Sequence, residues 1–394
     1  MPLVVRSLRS GLLKPTAINT ILAEARQVST QGEPVISLMR GEPDLQTPRH
    51  IVDAAVGALE AGRTTYPDNR GETVLREAVA LKLARDNGVR YDPGTDILIT
   101  TGATLGIHTA LMALLADGDG VLLPDPVYDA YQSPVRLAGG LVQPVRAPIL
   151  HDRFVLTRDA LEAAVTPSSR ALVLNTPWNP VGTVLRDTEL WEIADFVLRH
   201  DLVLISDEIY EGIVYDGHRH LSPASLSPDI ASRTILVNSL SKTYAMTGWR
   251  VGYCAGPASL ISAMLLVLQQ SSRGPAMFVQ DAAATALTAS QACVTEMRHE
   301  YTRRRLQVLS ALTGLPHARV LAPEGGFFAM VDVRDTGMPS NDVRRRLLHQ
   351  HGVSVVHGSA YGPGGEGTLR VSFASGGNAL ADGLGRLARG LSTL

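Results

Sequence analysis

Cysteine is scarce in this chain, which also lacks long apolar runs and any excess of one sign of charge. Its two cysteines, Cys254 and Cys293, are too few for a disulfide framework among 394 residues and show no metal-ligand spacing. The net charge of −2 argues against the basic surface that nucleic-acid-binding proteins carry. No apolar run approaches the roughly 20 residues that cross a bilayer. We therefore expect a soluble cytoplasmic protein without a metal, a nucleic-acid partner or a membrane contact.

The N-terminal segment, residues 1–27, is basic and holds no acidic residue before Glu24, as a targeting peptide would. Its apolar stretches are interrupted by Arg6, Arg9 and Lys14, so no continuous hydrophobic region forms. We expect no targeting signal here.

Short apolar runs alternate with helix-length amphipathic segments between residues 96 and 256. The runs are DILITT (96–101), GVLLPD (120–125), ALVLNT (171–176), LVLISDE (202–208), TILVNS (234–239) and RVGYCAG (250–256). Such Val-, Ile- and Leu-rich runs without strict alternation are typical of parallel strands that are buried on both faces. The pattern predicts an α/β fold, in which helices cover a parallel sheet.

The pattern changes after about residue 295. A long charged helix is expected over 297–312 and a hairpin over 319–333, followed by a helix over 341–350 and a strand over 368–374. This order predicts a smaller α+β domain. We expect a large domain over 46–290, a small domain over 291–394, and an N-terminal segment, 1–45, that joins the small domain.

Polar residues follow two of the apolar runs, where an α/β sheet binds its ligands. Gly102, Ala103 and Thr104 open a helix, and small residues there leave backbone N–H groups free for a phosphate. An ordinary strand–helix turn would have the same sequence. Asn179 precedes Pro180, which restricts Asn179 to an extended conformation and fixes where its amide points. A simple Asn-Pro turn is the alternative.

A carboxylate and a phenol follow the next run. Asp207 comes directly after an apolar strand, where its charge is costly unless a cation or hydrogen-bond donors meet it. It could instead cap a helix. Tyr210 lies three residues further on and could belong to the same site or to the core.

The stretch VNSLSKTYAMTGWRVGY (237–253) contains a single lysine, Lys242. A desolvated lysine has a lowered pKa and is a nucleophile suited to Schiff-base chemistry, whereas a surface lysine is the alternative interpretation. Ser239 precedes it, and Arg250 begins an apolar run, which favours an anion nearby. An amine, an anion site, a buried carboxylate, an amide and a phenol together match the needs of pyridoxal phosphate.

The chain resembles the class I/II aminotransferases, the fold-type-I pyridoxal-phosphate enzymes, over nearly its whole length. The motifs that carry the resemblance are SLMRGEPDLQTP (37–48), YPDNRGETVLREAVA (66–80), TTGAT (100–104), PDPVYDAY (124–131), NTPWNPVG (175–182), SDEIY (206–210), SLSKTYAMTGWRVG (239–252), EGGFFAM (324–330) and GTLRVSFA (367–374). The arginine–pyruvate transaminase and aspartate aminotransferase-like branch looks most similar. The resemblance implies a mostly parallel seven-stranded sheet between helices in a large domain, and a smaller α+β domain.

The resemblance also implies roles for the residues around the cofactor ring. Lys242 would bind the cofactor covalently and later move the substrate proton. Asp207 would pair with the protonated pyridine nitrogen, and Asn179 and Tyr210 would hydrogen-bond the ring hydroxyl oxygen. Tyr128 would stack on the ring. The residues expected at the phosphate are Gly102, Ala103, Thr104, Ser239 and Arg250, with Tyr66 from a second subunit of a homodimer.

Arg370 would bind the substrate α-carboxylate through a bidentate guanidinium, and Gly41 would lie beside it. Three positions depart from the common pattern of the family and are either pocket residues or ordinary structural residues: Trp178, which precedes Asn179, Arg40 and His357. We include Trp178 among the expected substrate-binding residues.

Two further positions bear on the substrate. Thr104 stands where the subgroup that acts on aspartate and prephenate has lysine, which argues against that subgroup. Arg273 falls in the region where relatives specific for dicarboxylic acids supply an arginine across the dimer. His108 could face either the core or the cleft.

The expected function is transfer of the α-amino group of an L-amino acid to a 2-oxo acid, pyruvate or 2-oxoglutarate, by a ping-pong mechanism. The same scaffold also hosts β-lyases, cyclopropane-forming synthases and oxidases, which remain the alternative. A transcription regulator built on this fold would carry a DNA-binding module ahead of the enzyme-like part. Only 40 residues precede GEPD, so we expect no such module.

Overall fold

The computed structural model describes residues 11, 13, 15–32 and 34–394. Arg6, Arg9 and Lys14, on which the expectation of no targeting signal depends, lie outside these residues. In the described part of the chain, no helix combines the length and the apolar composition that a membrane crossing requires.

Helices and strands alternate along most of the described chain. The helices are α1 Ala17–Gln31, α2 Arg49–Glu60, α3 Thr73–Lys82, α4 Ala103–Leu114, α5 Gln132–Leu137, α6 Arg158–Ala164, α7 Asp187–Arg199, α8 Pro228–Ala231, α9 Leu240–Thr243, α10 Ala258–Ser271, α11 Met277–Thr288, α12 Ala292–Leu312, α13 Ser340–His351 and α14 Gly377–Ser392. The strands are β1 Ile36–Ser37, β2 Ile97–Thr100, β3 Gly120–Asp125, β4 Leu141–Arg146, β5 Ile149–Leu150, β6 Arg153–Phe154, β7 Ser169–Asn175, β8 Val203–Asp207, β9 Thr234–Ser239, β10 Gly252–Ala255, β11 Arg319–Leu321, β12 Phe328–Asp332, β13 Val353–Ser354, β14 Val356–His357 and β15 Thr368–Ser372.

The main sheet has seven strands in the order β2-β10-β9-β8-β7-β3-β4. Strand β10 is antiparallel to both of its neighbours, and the other pairs are parallel. The mostly parallel seven-stranded sheet is therefore confirmed, and all six apolar runs form strands in it. The seventh strand, β4, was missed because it lies at the sheet edge, where Leu141 is 56% exposed and Pro144 interrupts the pattern.

Apolar side chains leave both faces of this sheet. On one face, Leu98, Leu123, Val173, Ile205, Val237 and Cys254 pack with residues of α4 and α10. On the other face, Ile99, Leu236 and Tyr253 pack with α2, α3 and α11, while Leu172, Leu174 and Leu204 pack with α7. Burial on both faces explains why the runs are apolar without alternation.

A second group of elements follows α12. Strands β11, β12, β15 and β14 form an antiparallel sheet, and helices α13 and α14 pack near it. Strand β1 pairs in parallel with β13, so the N-terminal part of the described chain contacts these C-terminal elements. The domain boundaries themselves stay a prediction.

Gly71 lies in the loop between α2 and α3 with a φ of +104°, and a Cβ atom there would lie 2.2 Å from Cγ1 of Ile99. We expect Gly71→Ala to lower the free energy of unfolding by about 2–4 kcal/mol, because the new methyl group meets a core side chain in a strained backbone conformation. Gly57→Ala, at an exposed position of α2 with no atom near its Cβ position, should instead raise it by about 0.5–1 kcal/mol. Urea unfolding measures both, and equal effects would contradict the steric argument.

Candidate active site

A cavity of about 930 Å³ opens at the carboxyl ends of the parallel strands of the main sheet and reaches β15 of the second sheet. Most of the residues predicted for the site line it, although they come from distant parts of the chain. They are Gly41, Ala103, Thr104, Tyr128, Asn179, Asp207, Tyr210, Ser239, Lys242, Arg250 and Arg370. The fold therefore brings together residues that sequence reasoning had assigned to one site.

Lys242 lies in the short helix α9, which begins directly after β9 because the Ser239 hydroxyl accepts the N–H of Ser241 at 3.1 Å. Its Nζ donates a hydrogen bond to the carbonyl oxygen of Gly41 at 2.6 Å. The pKa of Lys242 is lowered to about 8, mainly by burial and partly by the charge of Arg250, against the opposing effect of Glu42. A larger fraction of the amine is therefore neutral and nucleophilic near neutral pH than for an ordinary lysine.

Asp207 ends strand β8 and is only 4% exposed. The hydroxyl of Tyr131 donates to Oδ2 at 2.6 Å, and the N–H of Ile209 donates to Oδ1 at 3.2 Å. Burial raises the pKa of Asp207 to about 6, and the bond from Tyr131 partly offsets this rise. Among the described residues, no basic side chain lies within 4.0 Å of this carboxylate. A cationic ring nitrogen of a ligand would supply the missing partner.

Asn179 and Tyr210 face the cavity from two loops that follow β7 and β8. The N–H of Asn179 donates to Oδ1 of Asn175 at 2.7 Å, which fixes the loop. Tyr210 packs edge-on against Phe327 and Phe328, with ring centroids 5.4 and 5.9 Å away. Burial raises the pKa of Tyr210 well above its usual value, so the phenol stays protonated and can donate a hydrogen bond.

An anion site lies at the start of helix α4. Gly102 precedes this helix with a φ of +83°, and a Cβ atom there would lie 2.5 Å from Nη2 of Arg250. Glycine therefore lets the guanidinium approach the helix N-terminus, where backbone N–H groups and the helix dipole favour an anion. The Ser239 hydroxyl lines the same cavity and donates to the carbonyl oxygen of Val251 at 2.8 Å, so it would have to turn to donate to an anion. This group of donors suits a phosphate.

Arg370 lies in β15 and is 2% exposed. Its Nη2 donates to the carbonyl oxygen of Met39 at 2.9 Å, and the guanidinium stacks 4.3 Å from the Phe328 ring centroid. Its Nη1 lies 3.3 Å from Oδ1 of Asn179, and its Nε has no partner among the described residues. A buried guanidinium without a carboxylate partner in the described chain, at a cavity wall, is suited to bind a ligand carboxylate.

Three predicted residues lie outside the cavity wall. Gly102 lies beneath Arg250, as described above. Trp178 is 5% exposed in the core around α7, and its indole N–H donates to the carbonyl oxygen of Pro126 at 3.0 Å. In this chain it packs in the core rather than at the cavity wall, and its contact with substrate stays a prediction. Tyr66 is 86% exposed, with the Arg273 guanidinium 5.9 Å from its ring centroid.

Of the other unusual positions, one lines the cavity and the rest lie outside its wall. Arg40 lines the cavity and forms an ion pair with Glu42 at 3.1 Å. His357 and His108 are not among the residues that line it, and burial lowers the pKa of both imidazoles. Arg273 donates to Oδ1 of Asn69 at 3.3 Å, also outside the cavity wall of this chain.

One group of side chains in the described chain could hold a metal ion. Ligand atoms of Glu208, Glu211 and His220 lie within 4.8 Å of one another. The ammonium group of Lys82 pairs with Glu211 and also donates to Oδ1 of Asn87 at 2.6 Å. Lys82 therefore supplies a cation to these carboxylates, and the group is better suited to a buried ion-pair network than to a metal site.

Sequence reasoning missed one side of the cavity. Thr16, Ile18, Asn19 and Leu22 line it from the beginning of α1, and Asp129 lines it after β3. Tyr131, which bonds to Asp207, was missed as well. The signal for Asp129 and Tyr131 was present in PDPVYDAY, because polar residues that directly follow a parallel strand lie at the ligand-binding edge.

The chain is similar to known proteins over nearly its whole length. Residues 33–384 match the family model described as aminotransferase class I and II. An aromatic-amino-acid aminotransferase of Thermococcus litoralis is 41% identical over 384 residues, 96% of either chain. An arginine–pyruvate transaminase of Pseudomonas aeruginosa is 40% identical over 359 residues, 91% of this chain and 90% of the relative. The crystal structure of a Thermus thermophilus aspartate aminotransferase with maleate superposes with a TM-score of 0.91 at 36% identity, covering 98% of this chain and 99% of that one.

Tyr131→Phe removes the hydroxyl that donates to Asp207 and keeps the buried ring. We expect the pKa of Asp207 to rise further above about 6, so that less of the carboxylate is ionised at neutral pH. The affinity for pyridoxal phosphate should fall about tenfold or more, because a hydrogen bond to a charged group is lost. Equilibrium dialysis of the apoenzyme against the cofactor measures this, and an unchanged affinity between pH 6 and 8 would contradict the role of Tyr131.

Proposed function

The chain belongs to the class I and II aminotransferases, and from this premise we propose which of its residues hold the cofactor and which bind the substrate. Members of this family use pyridoxal phosphate, and this protein is a pyridoxal-phosphate-dependent aminotransferase. The observation that carries the assignment is the convergence of Lys242, Asp207 and Arg370 on one cavity.

The residues of the cavity fit pyridoxal phosphate. Asp207, buried and without a basic partner in the described chain, would pair with the ring nitrogen. The donors around Gly102, Ser239 and Arg250 would hold the phosphate, together with Ala103 and Thr104. When bound, the cofactor supplies an electron-withdrawing ring that stabilises negative charge at the substrate Cα.

Three further side chains would orient the ring. Tyr128, which packs edge-on against Tyr131 with 5.4 Å between the ring centroids, would stack on it. Asn179 and Tyr210 would hydrogen-bond the ring hydroxyl oxygen, Tyr210 as a phenol that burial keeps protonated. Their fixed positions would hold the ring plane, because each is packed or bonded independently of a ligand.

Lys242 is the base of the proposed mechanism. Its lowered pKa, about 8, leaves part of the amine neutral, so that Nζ can take the proton from Cα of the amino donor. The same Nζ would return a proton to Cα of the product amino acid in the second half of the reaction. The carbonyl oxygen of Gly41, which accepts a hydrogen bond from Nζ, holds the amine at the cavity wall.

Arg370 would bind the α-carboxylate and so place Cα within reach of Lys242. Amino donors and 2-oxo acid acceptors both carry this carboxylate, so one guanidinium serves both half-reactions, in agreement with a ping-pong mechanism. We propose pyruvate or 2-oxoglutarate as the acceptor. Transfer of an amino group requires that donor and acceptor occupy this site in turn.

We also propose a homodimer with a shared active site. Tyr66 is exposed in the single chain, although the resemblance places it at the phosphate of a second subunit. Leu59 and Leu266 are also exposed, at 45% and 63%, and burying them would favour association. Two lobes, the large one over 46–290 and the small one over 291–394 with 1–45, would enclose the cavity between them.

A cytoplasmic location is the remaining part of the proposal. Its support is that Cys254 is buried and that both it and Cys293 are free thiols. A reducing compartment keeps such thiols unpaired.

Holoenzyme mixed with an L-amino acid and no acceptor should yield 2-oxo acid and pyridoxamine phosphate in equal amounts. Lys242→Ala should yield neither, because the base and the covalent attachment point are both lost. The chain has three lysines, Lys14, Lys82 and Lys242, so borohydride reduction followed by peptide mapping identifies the attachment site without ambiguity. Ammonia release or dioxygen consumption without pyridoxamine phosphate would contradict transamination, and a reduced adduct on Lys82 would contradict the assignment of Lys242.

Arg370→Lys keeps the buried charge but loses the bidentate geometry. We expect KM for amino donors to rise about 10- to 100-fold while the bound cofactor content stays at one per chain, because the proposed contact is with substrate alone. Steady-state kinetics and the absorbance of the bound cofactor measure the two quantities. Loss of cofactor at unchanged KM would show that Arg370 does not bind the carboxylate.

A further inference from the structure

One side of the cavity is left unused by the proposed cofactor and carboxylate contacts. It is formed by Thr16, Ile18, Asn19 and Leu22 at the beginning of α1, together with Asp129 after β3. We call these five residues the outer wall. Because Arg370 would hold the α-carboxylate and the main sheet would hold the cofactor, the outer wall is available to the donor side chain, as are the lining residues Arg40, Glu42 and Thr247.

Asp129 provides the only ionisable side chain of the outer wall. Within the described chain, no basic group lies within 4.0 Å of its carboxylate, although it lines the cavity and is not exposed. Burial raises the pKa of Asp129, whereas the charge of Arg370 and the Thr16 hydroxyl act against this rise. Arg370 is thus the cation that most favours the ionised form of Asp129 in the free protein.

Binding of a substrate changes this balance. Once an α-carboxylate lies on Arg370, the charge of Arg370 is neutralised, and Asp129 loses its favourable electrostatic neighbour. A partly buried carboxylate that is held only by neutral donors is costly to keep ionised, so a ligand that brings its own cation is favoured over one that brings none. A second carboxylate on the ligand would be repelled.

The other charged side chains that this chain itself contributes to the cavity wall are already paired or assigned, so among the described residues of one chain none is left for an acidic side chain. An arginine supplied across the proposed dimer would appear in the test below as a preference for glutamate or aspartate. Arg40 is paired with Glu42, whose other oxygen accepts from the Thr247 hydroxyl at 3.1 Å. Arg250 belongs to the phosphate site and Arg370 to the α-carboxylate site. Among the described lining residues there is no further arginine for a dicarboxylic donor.

The apolar part of the outer wall suits a methylene stem. Ile18 and Leu22 are partly buried and pack against a small cluster that contains Ile21, Met39 and Tyr361. An alkyl chain that ends in a cation would contact these side chains along its length and reach a carboxylate at its end. Lysine and arginine have this combination of stem and charge.

We propose that Asp129 determines donor specificity by binding the cationic end of a basic amino-acid side chain, whose methylene stem packs on Ile18 and Leu22. The inference rests on the proposed function, because it takes the α-carboxylate to lie on Arg370. It adds a substrate class to that function: amino acids with a guanidinium or ammonium side chain are preferred over dicarboxylic ones.

The test compares Asp129→Asn, which removes the charge at constant shape, with Asp159→Asn, which changes an exposed carboxylate on α6 outside the cavity. The measured quantity is the ratio of kcat/KM for L-arginine to that for L-norleucine, with pyruvate as acceptor. We expect Asp129→Asn to lower this ratio about tenfold or more, because a charge-assisted contact is lost, and Asp159→Asn to leave it unchanged.

A binding measurement separates this inference from catalysis. The probes are 5-guanidinopentanoate, which is arginine without its α-amine, and hexanoate, which has a neutral stem; neither can donate an amino group. Calorimetry on the holoenzyme should show tighter binding of the guanidinium probe, with Kd raised about tenfold or more by Asp129→Asn. Unchanged cofactor content and absorbance in the variant show that it is folded.

The outcomes are distinguishable. An unchanged arginine-to-norleucine ratio in Asp129→Asn, or a preference of the wild-type enzyme for glutamate or aspartate over arginine, would overturn the role of Asp129. If the guanidinium probe binds through Asp129 but no amino acid yields a 2-oxo acid, Asp129 binds the cation as inferred, whereas the proposed transamination fails. If norleucine is transaminated and Asp129→Asn has no effect, the proposed function holds and the role of Asp129 fails.

Discussion

Desolvation of charge in one cavity is the constraint on which the rest of this structure depends. Asp207 and Arg370 are almost fully buried, yet neither has an opposite charge within salt-bridge distance among the described residues. Neutral donors and acceptors hold them instead: the Tyr131 hydroxyl on Asp207, the Met39 carbonyl on Arg370. The free-energy cost of burying these charges is offset by the apolar packing on both faces of the main sheet. It falls when a ligand brings opposite charges into the cavity.

The main sheet could be predicted because its residues obey a local rule. Strands buried on both faces need apolar side chains throughout, so the six apolar runs were visible without knowledge of their partners. Strand β4 was missed because an edge strand with one exposed face has no such requirement. The antiparallel direction of β10 was also invisible, since direction depends on where the chain crosses between strands and not on which residues a strand contains.

The residues expected around the cofactor could also be proposed from the sequence, whereas most of those that line the substrate side of the cavity could not. Lys242 and Asp207 are charged residues that lie at or just after the ends of apolar strands, and this contrast with their sequence neighbours makes them recognisable. Thr16 and Asn19 are ordinary residues at a helix start, and only the fold brings them to Asp129. Trp178 is the reverse case: a residue that is unusual for the family pattern packs in the core and its indole has a backbone partner, while its expected substrate contact stays a prediction.

At the ends of strands β8 and β9, two successive polar residues face different surroundings. Asp207 and Ser239 line the cavity, whereas their neighbours Glu208 and Asn238 belong to the hydrogen-bond network around Glu211 and its partner Lys82. This network fixes the strand ends and does not line the cavity. The outer wall belongs neither to this network nor to the strand ends. Residues of the outer wall can therefore change to suit a new donor while the cofactor site and the network that supports it remain intact. Four of these five positions lie near the start of the chain, so substrate preference can diversify through a short segment.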